Sequence, residues 1–214
     1  EGPFLNPACA GALPQRGMRP PTITELARLA RAARGRLRLV TFAPELRGAV
    51  SAIRWCRRHR ITPSLGHSVA DAETAYGAVD AGAMAVTHVF NGMQPLHHRE
   101  PSLLNAALTD ERITTMVIAD GVHVGPSALR LLMQAKGPGR VALVTDSIRH
   151  QGWNVVARGG ASYARGGAYY TRGGVLAGSG LTMIEAVRNM VRFGGVSLTD
   201  AVRMASEVPA RLRG

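Results

Sequence analysis

Short apolar runs recur along the chain at intervals of roughly 22 to 30 residues, each followed by a polar turn and then a helical pattern. The runs are apolar or β-branched throughout rather than alternating, which is typical of strands covered on both faces of a parallel sheet. They lie at 37–42, 62–66, 84–88, 114–119 and 141–145. The sequence therefore predicts successive βα units around a parallel sheet.

Helical periodicity fills the intervals between these runs. Apolar residues recur on one face over 23–33 and 46–59, with arginines on the opposite face. Further helices are predicted at 70–81, 103–109, 127–135, 181–192 and 199–205. Residues 148–174 break the rhythm with Gly-Gly pairs and tyrosines, so we predict an irregular loop or a small β-hairpin there.

The composition is that of a folded chain, because 46% of the 214 residues are hydrophobic. No apolar run approaches the roughly 20 residues of a membrane helix and no secretory signal opens the sequence, so we expect a cytoplasmic protein with no membrane partner. Its two cysteines, Cys9 and Cys56, form neither a disulfide framework nor a CxxC pair.

The net charge is strongly positive, with 26 Lys and Arg against 14 Asp and Glu, a difference of +12. The arginines are spread along the whole chain and form no stripe, so we interpret them as the background of a GC-rich coding sequence. Nucleic-acid binding is the alternative interpretation of this charge, and we predict no nucleic-acid partner.

Four polar residues lie at or just beyond the ends of predicted strands: His67, His88, His123 and Asp146. Any one of these histidines could be an ordinary hydrogen-bonded loop residue. The loops after the strands of a parallel βα fold open on one face, however, so the shared position favours a common site.

Imidazole and carboxylate groups suit a divalent metal such as zinc, and catalytic zinc sites usually take three protein ligands. Glu1, His67 and His88 could supply that set, and Asp146 is the candidate proton acceptor for an attacking water. The adjacent pair His97-His98 is a less suitable metal set, because neighbouring loop side chains rarely converge. We expect that pair to line a loop.

A series of short motifs, each weak alone, follows in order along nearly all of the chain. They are EGPFLNP (1–7), APE (43–45), GHS (66–68), THVFNGM (87–93), HREP (98–101), ADGVHV (119–124), VTD (144–146), LAGS (176–179) and MAS (204–206) with PAR (209–211). In this order they resemble the N-acetylglucosamine-6-phosphate deacetylases, a family of the amidohydrolase superfamily. Accidental similarity over so many ordered motifs is not a reasonable alternative.

The resemblance implies a (β/α)8 TIM barrel with a small β-sandwich built from both chain ends. It implies release of acetate from N-acetylglucosamine 6-phosphate with one or two divalent ions, zinc being the expected metal. Glu1, His67 and His88 match the metal ligands, and Asp146 matches the catalytic residue that takes a proton from water and delivers it to the amine.

The resemblance also implies a site for the sugar phosphate. His123, Arg99 and the main chain of Asn91 and Gly92 match phosphate-binding positions, with Arg99 reaching into the neighbouring subunit of a homodimer. The alternative for Arg99 is a simple pair with Glu100 or exposure to solvent. A backbone segment that borders the sugar matches Leu176, Ala177 and Gly178.

Two departures from the family pattern bear on activity. Leu13 stands where the family has a histidine that polarises the substrate carbonyl, and losing one such donor commonly costs roughly 10²- to 10³-fold in rate. The turn at 147–150 replaces a small-residue turn, and His150 could compensate for the lost histidine. A phosphosugar-binding pseudoenzyme is therefore the alternative function, and another amidohydrolase, such as a dihydroorotase-like enzyme, leaves the phosphate motifs unexplained.

The resemblance covers the barrel only in part. Counting the stub at 1–5 as a strand gives about six of the eight βα units, so 1–214 is expected to be a partial catalytic barrel that largely lacks the β-sandwich. We expect the sequence to belong to a longer reading frame, and the 214 residues alone to be unstable because strand edges stay exposed. A metal ligand at a terminal residue, Glu1, is then expected to bind zinc weakly.

Overall fold

Five short strands form the main sheet in the computed structural model, which describes residues 1–148, 155–157, 160–165 and 167–213. The sheet has the order β1-β2-β3-β4-β5. Its strands are β1 (Leu39–Phe42), β2 (Thr62–Leu65), β3 (Ala85–Val86), β4 (Thr114–Ile118) and β5 (Val141–Val144). Each lies inside one of the five predicted ranges, so the prediction of βα units is confirmed.

The strand register brings successive strand ends to one edge of the sheet. β1 pairs with β2 in parallel from Leu39↔Thr62 to Phe42↔Leu65, and β3 continues the parallel pairing on both sides. Every residue of β2 and of β4 is buried. This is the burial on both faces that the continuous apolar runs predicted.

Eight α-helices occur in the described part of the chain. They are α1 (Ile23–Ala32), α2 (Ala49–Arg58), α3 (Ala72–Asp80), α4 (Leu103–Thr109), α5 (Pro126–Lys136), α6 (Met183–Asn189), α7 (Leu198–Ala205) and α8 (Glu207–Arg213). Side chains of the preceding residue cap several of them, as Thr22 does by accepting from the Glu25 amide at 3.2 Å. All seven predicted helices are confirmed, with shifts at their ends.

The helices differ from the prediction in three places. The helix predicted from residue 46 begins only at Ala49, because Gly48 takes a φ of +94° and ends the preceding turn. The helix predicted over 181–192 ends as α6 and continues as a π-helical turn, Met190–Gly194. The sequence did not predict α8, which contains Pro209 in its first turn, where a proline is tolerated.

A second sheet follows β5. Its four antiparallel strands, in the order β6-β7-β8-β9, are β6 (Val155–Ala157), β7 (Gly160–Arg165), β8 (Ala168–Tyr170) and β9 (Leu176–Ser179). Of the two alternatives predicted for 148–174, the hairpin is confirmed in the described residues. The hairpin belongs to a larger sheet that takes in the LAGS motif.

The chain divides into two compact units. The first comprises Glu1–Ala10, Gln15–Thr115 and Ala210–Gly214, and the second comprises Gly11–Pro14 and Met116–Pro209. In the first unit, Phe4 stacks on Phe42 with ring centroids 5.3 Å apart, and both rings are fully buried. The stub expected as a strand at 1–5 forms a single parallel bridge, Phe4↔Phe42. In the second unit, the fully buried side chains include Leu129, Leu143 and Met190.

No helix among the described residues is both long enough and apolar enough to span a membrane.

Candidate functional site

Three side chains of metal-ligand type converge in the first unit: Glu1, His67 and His88. Their ligand atoms all lie within 4.8 Å of one another. Glu1 Oε1 is 2.5 Å from His67 Nε2 and 3.1 Å from His88 Nε2, and the two Nε2 atoms are 3.0 Å apart. Both histidines are buried. One carboxylate and two imidazoles make up the kind of three-ligand set found at catalytic zinc sites.

The strand ends place the two histidines. His67 and His88 each follow the last residue of their strand, β2 or β3, by two positions. Both have positive φ angles, +49° and +25°, and a non-glycine residue in this region is strained by about 1–3 kcal/mol. The backbone of the first segment holds Glu1 beside them, because the Asn6 amide donates to the His67 carbonyl at 3.0 Å.

The hydrogen bonds of His67 identify the group that this cluster suits. His67 Nδ1 lies 2.6 Å from the carbonyl oxygen of Cys9, and since a carbonyl can only accept, Nδ1 carries the proton. In the neutral ring Nε2 is then an acceptor, yet it faces another acceptor, Glu1 Oε1. Acceptors this close repel one another unless a cation or a second proton lies between them. The donor set therefore fits a bound cation.

The pKa of Glu1 agrees with a charged ligand. Burial, the largest single influence, raises the pKa of this carboxyl. When the His67 and His88 rings carry a second proton in place of a cation, their hydrogen bonds and charges together outweigh burial, and the pKa of Glu1 falls well below its usual range. Glu1 is consequently ionised at neutral pH.

Asp146 lies in the second unit, two residues beyond β5, with its side chain exposed. Its φ is +47°, so a third strand ends in a left-handed residue. The Asp146 carbonyl accepts from the Ser179 amide of β9 at 3.0 Å. A Cβ at Gly178 would lie 3.1 Å from that carbonyl and 2.7 Å from Ile148 Cγ2, so only glycine lets β9 approach so closely. His150 lies outside the described residues.

A buried acid–histidine pair follows β4 in the second unit. His123 Nδ1 is 2.6 Å from Asp120 Oδ2, and each side chain is only 4% exposed. Burial raises the pKa of Asp120, but hydrogen bonds from His123 and from the Val122 amide outweigh this effect. The pKa of Asp120 is therefore lower than its ordinary value. An ionised Asp120 can only accept, so His123 Nδ1 carries the proton of this hydrogen bond. Nε2 is then the ring nitrogen that is left for another partner. The Asn189 side chain braces this loop by donating to the Ala119 carbonyl at 2.8 Å.

Comparison with known proteins places the chain. The profile of the amidohydrolase family matches residues 15–214. The chain belongs to the amidohydrolase family. Within it, the chain is 41% identical to the N-acetylgalactosamine-6-phosphate deacetylase of Escherichia coli O157:H7 and 39% identical to the N-acetylglucosamine-6-phosphate deacetylase of Bacillus subtilis (strain 168). All of this chain is covered in both cases, with 57% and 55% of the two relatives.

The solved structures of this part of the amidohydrolase family agree with the fold. The N-acetyl-D-glucosamine-6-phosphate deacetylase of Mycobacterium smegmatis superposes with a TM-score of 0.94 at 37% identity, covering all of this chain and 59% of that one. The fold class is therefore the amidohydrolase barrel type, here incomplete. The chain spans a little over half the length of the curated relatives it matches.

Membership in the amidohydrolase family implies a divalent metal, and Glu1, His67 and His88 form a group able to hold one. In the described part of the chain no second cluster of three such ligands occurs. The pair His97-His98 stays apart from this group, with ring centroids 4.8 Å from each other and His97 Nδ1 accepting from the Glu100 amide at 3.0 Å.

The other predicted residues of the first unit lie on the loop after β3. Asn91 directs its side-chain amide to the His88 and Val89 carbonyls at 3.4 and 3.3 Å. Arg99 is exposed, and within the described ranges no salt bridge joins it to Glu100 or to another acid. Of the alternative offered for Arg99, the pair with Glu100 is not seen in these ranges, whereas exposure to solvent is.

Gly92 has a role that the sequence did not indicate. Its φ is +62°, and a Cβ here would lie 3.0 Å from His67 Nδ1 and 3.2 Å from Cε1. Its carbonyl also accepts from the Ser68 amide at 3.0 Å. Gly92 therefore packs directly against the His67 ring and sets how far that ring can move.

Replacing Gly92 by alanine is expected to weaken metal binding by roughly 10- to 100-fold, the usual effect of disturbing a group that orients a metal ligand. The added methyl group pushes the His67 ring, and the Cys9 carbonyl resists the shift. Zinc affinity from titration against a competing chelator measures the effect.

Gly35→Ala is the matched control, because Gly35 has a φ of +75° and nothing within 4 Å of its Cβ position. Both variants carry the backbone cost of about 1–2 kcal/mol, and only Gly92→Ala meets the histidine. Equal zinc affinities in the two variants would contradict the role given to Gly92.

Proposed function

We propose that this chain carries the metal and sugar-phosphate sites of a deacetylase that releases acetate from N-acetylglucosamine 6-phosphate to give glucosamine 6-phosphate. The observation that carries the proposal is the cluster of Glu1, His67 and His88 at 2.5 to 3.1 Å. It occurs in a chain that aligns over its whole length with deacetylases of this substrate class. Zinc is the proposed ion.

The metal group and Asp146 divide the chemistry. When bound, a divalent ion supplies Lewis-acid polarisation of the amide carbonyl and lowers the pKa of water. Glu1, His67 and His88 hold it with one negative charge and two neutral rings. Asp146 takes the proton from the attacking water and then returns it to the amine nitrogen as the amide bond breaks. Its exposed carboxylate at a strand end supports this role.

Recognition of the phosphate is proposed to fall to His123 and Arg99, with main-chain amides at Asn91 and Gly92. Asp120 fixes the proton of His123 on Nδ1 and leaves Nε2 for the ligand. The exposed Arg99 is proposed to reach the site of a second copy in a homodimer, where a planar guanidinium suits a phosphate. Backbone atoms of Leu176, Ala177 and Gly178 are proposed to border the sugar.

Leu13 supports a second candidate, a phosphosugar-binding protein without turnover. The residue is 38% exposed, and leucine cannot donate a hydrogen bond to a substrate carbonyl. The two candidates share the binding residues and differ only in chemistry. For either, a cytoplasmic location and the absence of membrane and nucleic-acid partners remain predictions.

Acetate release tests the proposal, using the protein as its gene encodes it and loaded with zinc. We expect release from N-acetylglucosamine 6-phosphate and loss of release after chelation. N-acetylglucosamine without phosphate is expected to show a KM on the order of 10- to 100-fold higher, because charge-assisted hydrogen bonds to the phosphate are lost.

The galactosamine epimer belongs in the same assay, because one relative is an N-acetylgalactosamine-6-phosphate deacetylase. Binding of either sugar phosphate without acetate release supports the pseudoenzyme instead. Neither binding nor release would exclude both candidates.

A further inference from the structure

The carboxylate of Glu45 joins the two segments that carry metal-group residues, although it is not part of that group. Glu45 lies three residues beyond β1 in the first unit. Its Oε1 accepts from the Asn6 side-chain amide at 2.9 Å and from the Val69 amide at 2.8 Å. Its Oε2 accepts from the Ser68 hydroxyl at 2.6 Å.

These three donors belong to two segments of the chain, each of which carries a residue of the metal group. Ser68 and Val69 directly follow His67, while Asn6 belongs to the segment that begins with Glu1. The Asn6 backbone also donates to the His67 carbonyl at 3.0 Å. A shift of the Glu45 carboxylate therefore moves the backbone that directly follows His67 together with the segment that positions Glu1.

In the described part of the chain, the hydrogen-bond partners of the Glu45 carboxylate are neutral donors. In the described ranges no salt bridge involves Glu45, and its partners are an amide side chain, a hydroxyl and a backbone amide. A carboxylate can accept from all three at once because it offers two oxygens with about four lone-pair positions. No other residue type of the same size accepts three such bonds.

We propose that Glu45 is a positioning residue for the metal site, which holds the Glu1 segment and the His67 segment in the spacing that a divalent ion requires. The inference rests on the metal site of the proposed function, and it concerns a residue outside the metal group. Partners that orient metal ligands typically contribute 10- to 100-fold to metal affinity.

Two variants of the full protein test the inference with Zn²⁺ alone as the probe. Glu45→Ala removes all three bonds, and we expect zinc affinity to fall by about 10- to 100-fold. Glu45→Gln keeps one acceptor oxygen for Asn6 and Val69 and places an NH2 group against Ser68, whose hydroxyl can turn to accept. An intermediate zinc affinity is expected for this variant.

The melting temperature of each variant, with and without zinc, separates positioning from general stability. A structural role alone lowers the metal-free Tm and leaves the zinc-induced increase unchanged, whereas positioning reduces that increase. Glu73→Ala, which removes an exposed carboxylate from the same unit, is expected to leave zinc affinity unchanged.

Wild-type zinc affinity in both Glu45 variants overturns the inference. If Glu45→Ala does not fold, Glu45→Gln decides alone: weaker zinc binding supports the positioning role and unchanged binding overturns it. Acetate release, measured on the wild type in parallel, is a separate readout. Its absence would count against the deacetylase proposal, while the zinc affinities would still decide the role of Glu45.

Discussion

Replacing Asp146 by asparagine is expected to lower the rate of acetate release by about 10²- to 10⁴-fold, the usual contribution of a general acid–base group. The amide has the size of the carboxylate but cannot take a proton from water or return one to the amine. Asparagine also tolerates the left-handed backbone that Asp146 adopts at φ +47°. The variant is therefore expected to fold and to lose chemistry alone.

Measurement of turnover together with zinc and sugar-phosphate affinity separates these effects for Asp146→Asn. We expect kcat to fall while both affinities stay within a few-fold of wild type. Asp80→Asn is the control, since Asp80 is an exposed carboxylate in α3 that pairs with Arg112. Equal kcat values for wild type and Asp146→Asn would show that the proton acceptor is another group.

Loss of His88 or His67 is expected to abolish zinc binding at micromolar metal and acetate release with it. Each ring supplies one of the three candidate ligand atoms found in the described residues, so its removal is expected to exceed the 10- to 100-fold effect of an orienting partner. His67→Gln and His88→Gln place an amide where the metal needs a ring nitrogen. Both substitutions also remove one of the acceptors that crowd Glu1 Oε1.

Zinc content after dialysis and chelator-competition affinity measure this loss directly, without reference to a substrate. His98→Gln is the matched control, because His98 is exposed and lies outside the cluster. The opposite pattern, with zinc lost in His98→Gln and retained in His67→Gln, would show that the metal binds at the adjacent histidines of the loop after β3.

The strands and the site residues at their ends were predictable from sequence for one reason. A buried parallel strand is a continuous apolar run, and whatever polar residue ends that run emerges at the common edge of the sheet. His67 and His88 are separated by 20 intervening residues but follow adjacent strands, β2 and β3, and their Nε2 atoms are 3.0 Å apart. The shared position at strand ends, together with the family resemblance, therefore predicted that these two side chains would meet.

Residues that act through hydrogen bonds were not predictable in this way. In the sequence, Glu45 is simply a polar residue shortly before a helix. Its partners Asn6 and Ser68 are 39 and 23 residues away. Nothing in the local pattern identifies those partners. For Asp120 the sequence offered one indication, an acid three residues before a histidine. Only the structure distinguishes this buried ion pair from the polar residues of an ordinary turn. The packing role of Gly92 likewise depends on a ring that belongs to another loop.

The left-handed backbone at three strand ends limits how the metal group and Asp146 can be redesigned. His67, His88 and Asp146 all have positive φ angles, a region that aspartate, asparagine and histidine enter several-fold more often than other non-glycine residues do. Cysteine or glutamate introduced at 67 or 88 to change the metal preference would have to adopt this left-handed backbone, which is unfavourable for both residue types. Carboxylate-rich variants built with aspartate avoid that conflict, so oxygen-preferring ions are the more accessible targets for engineering.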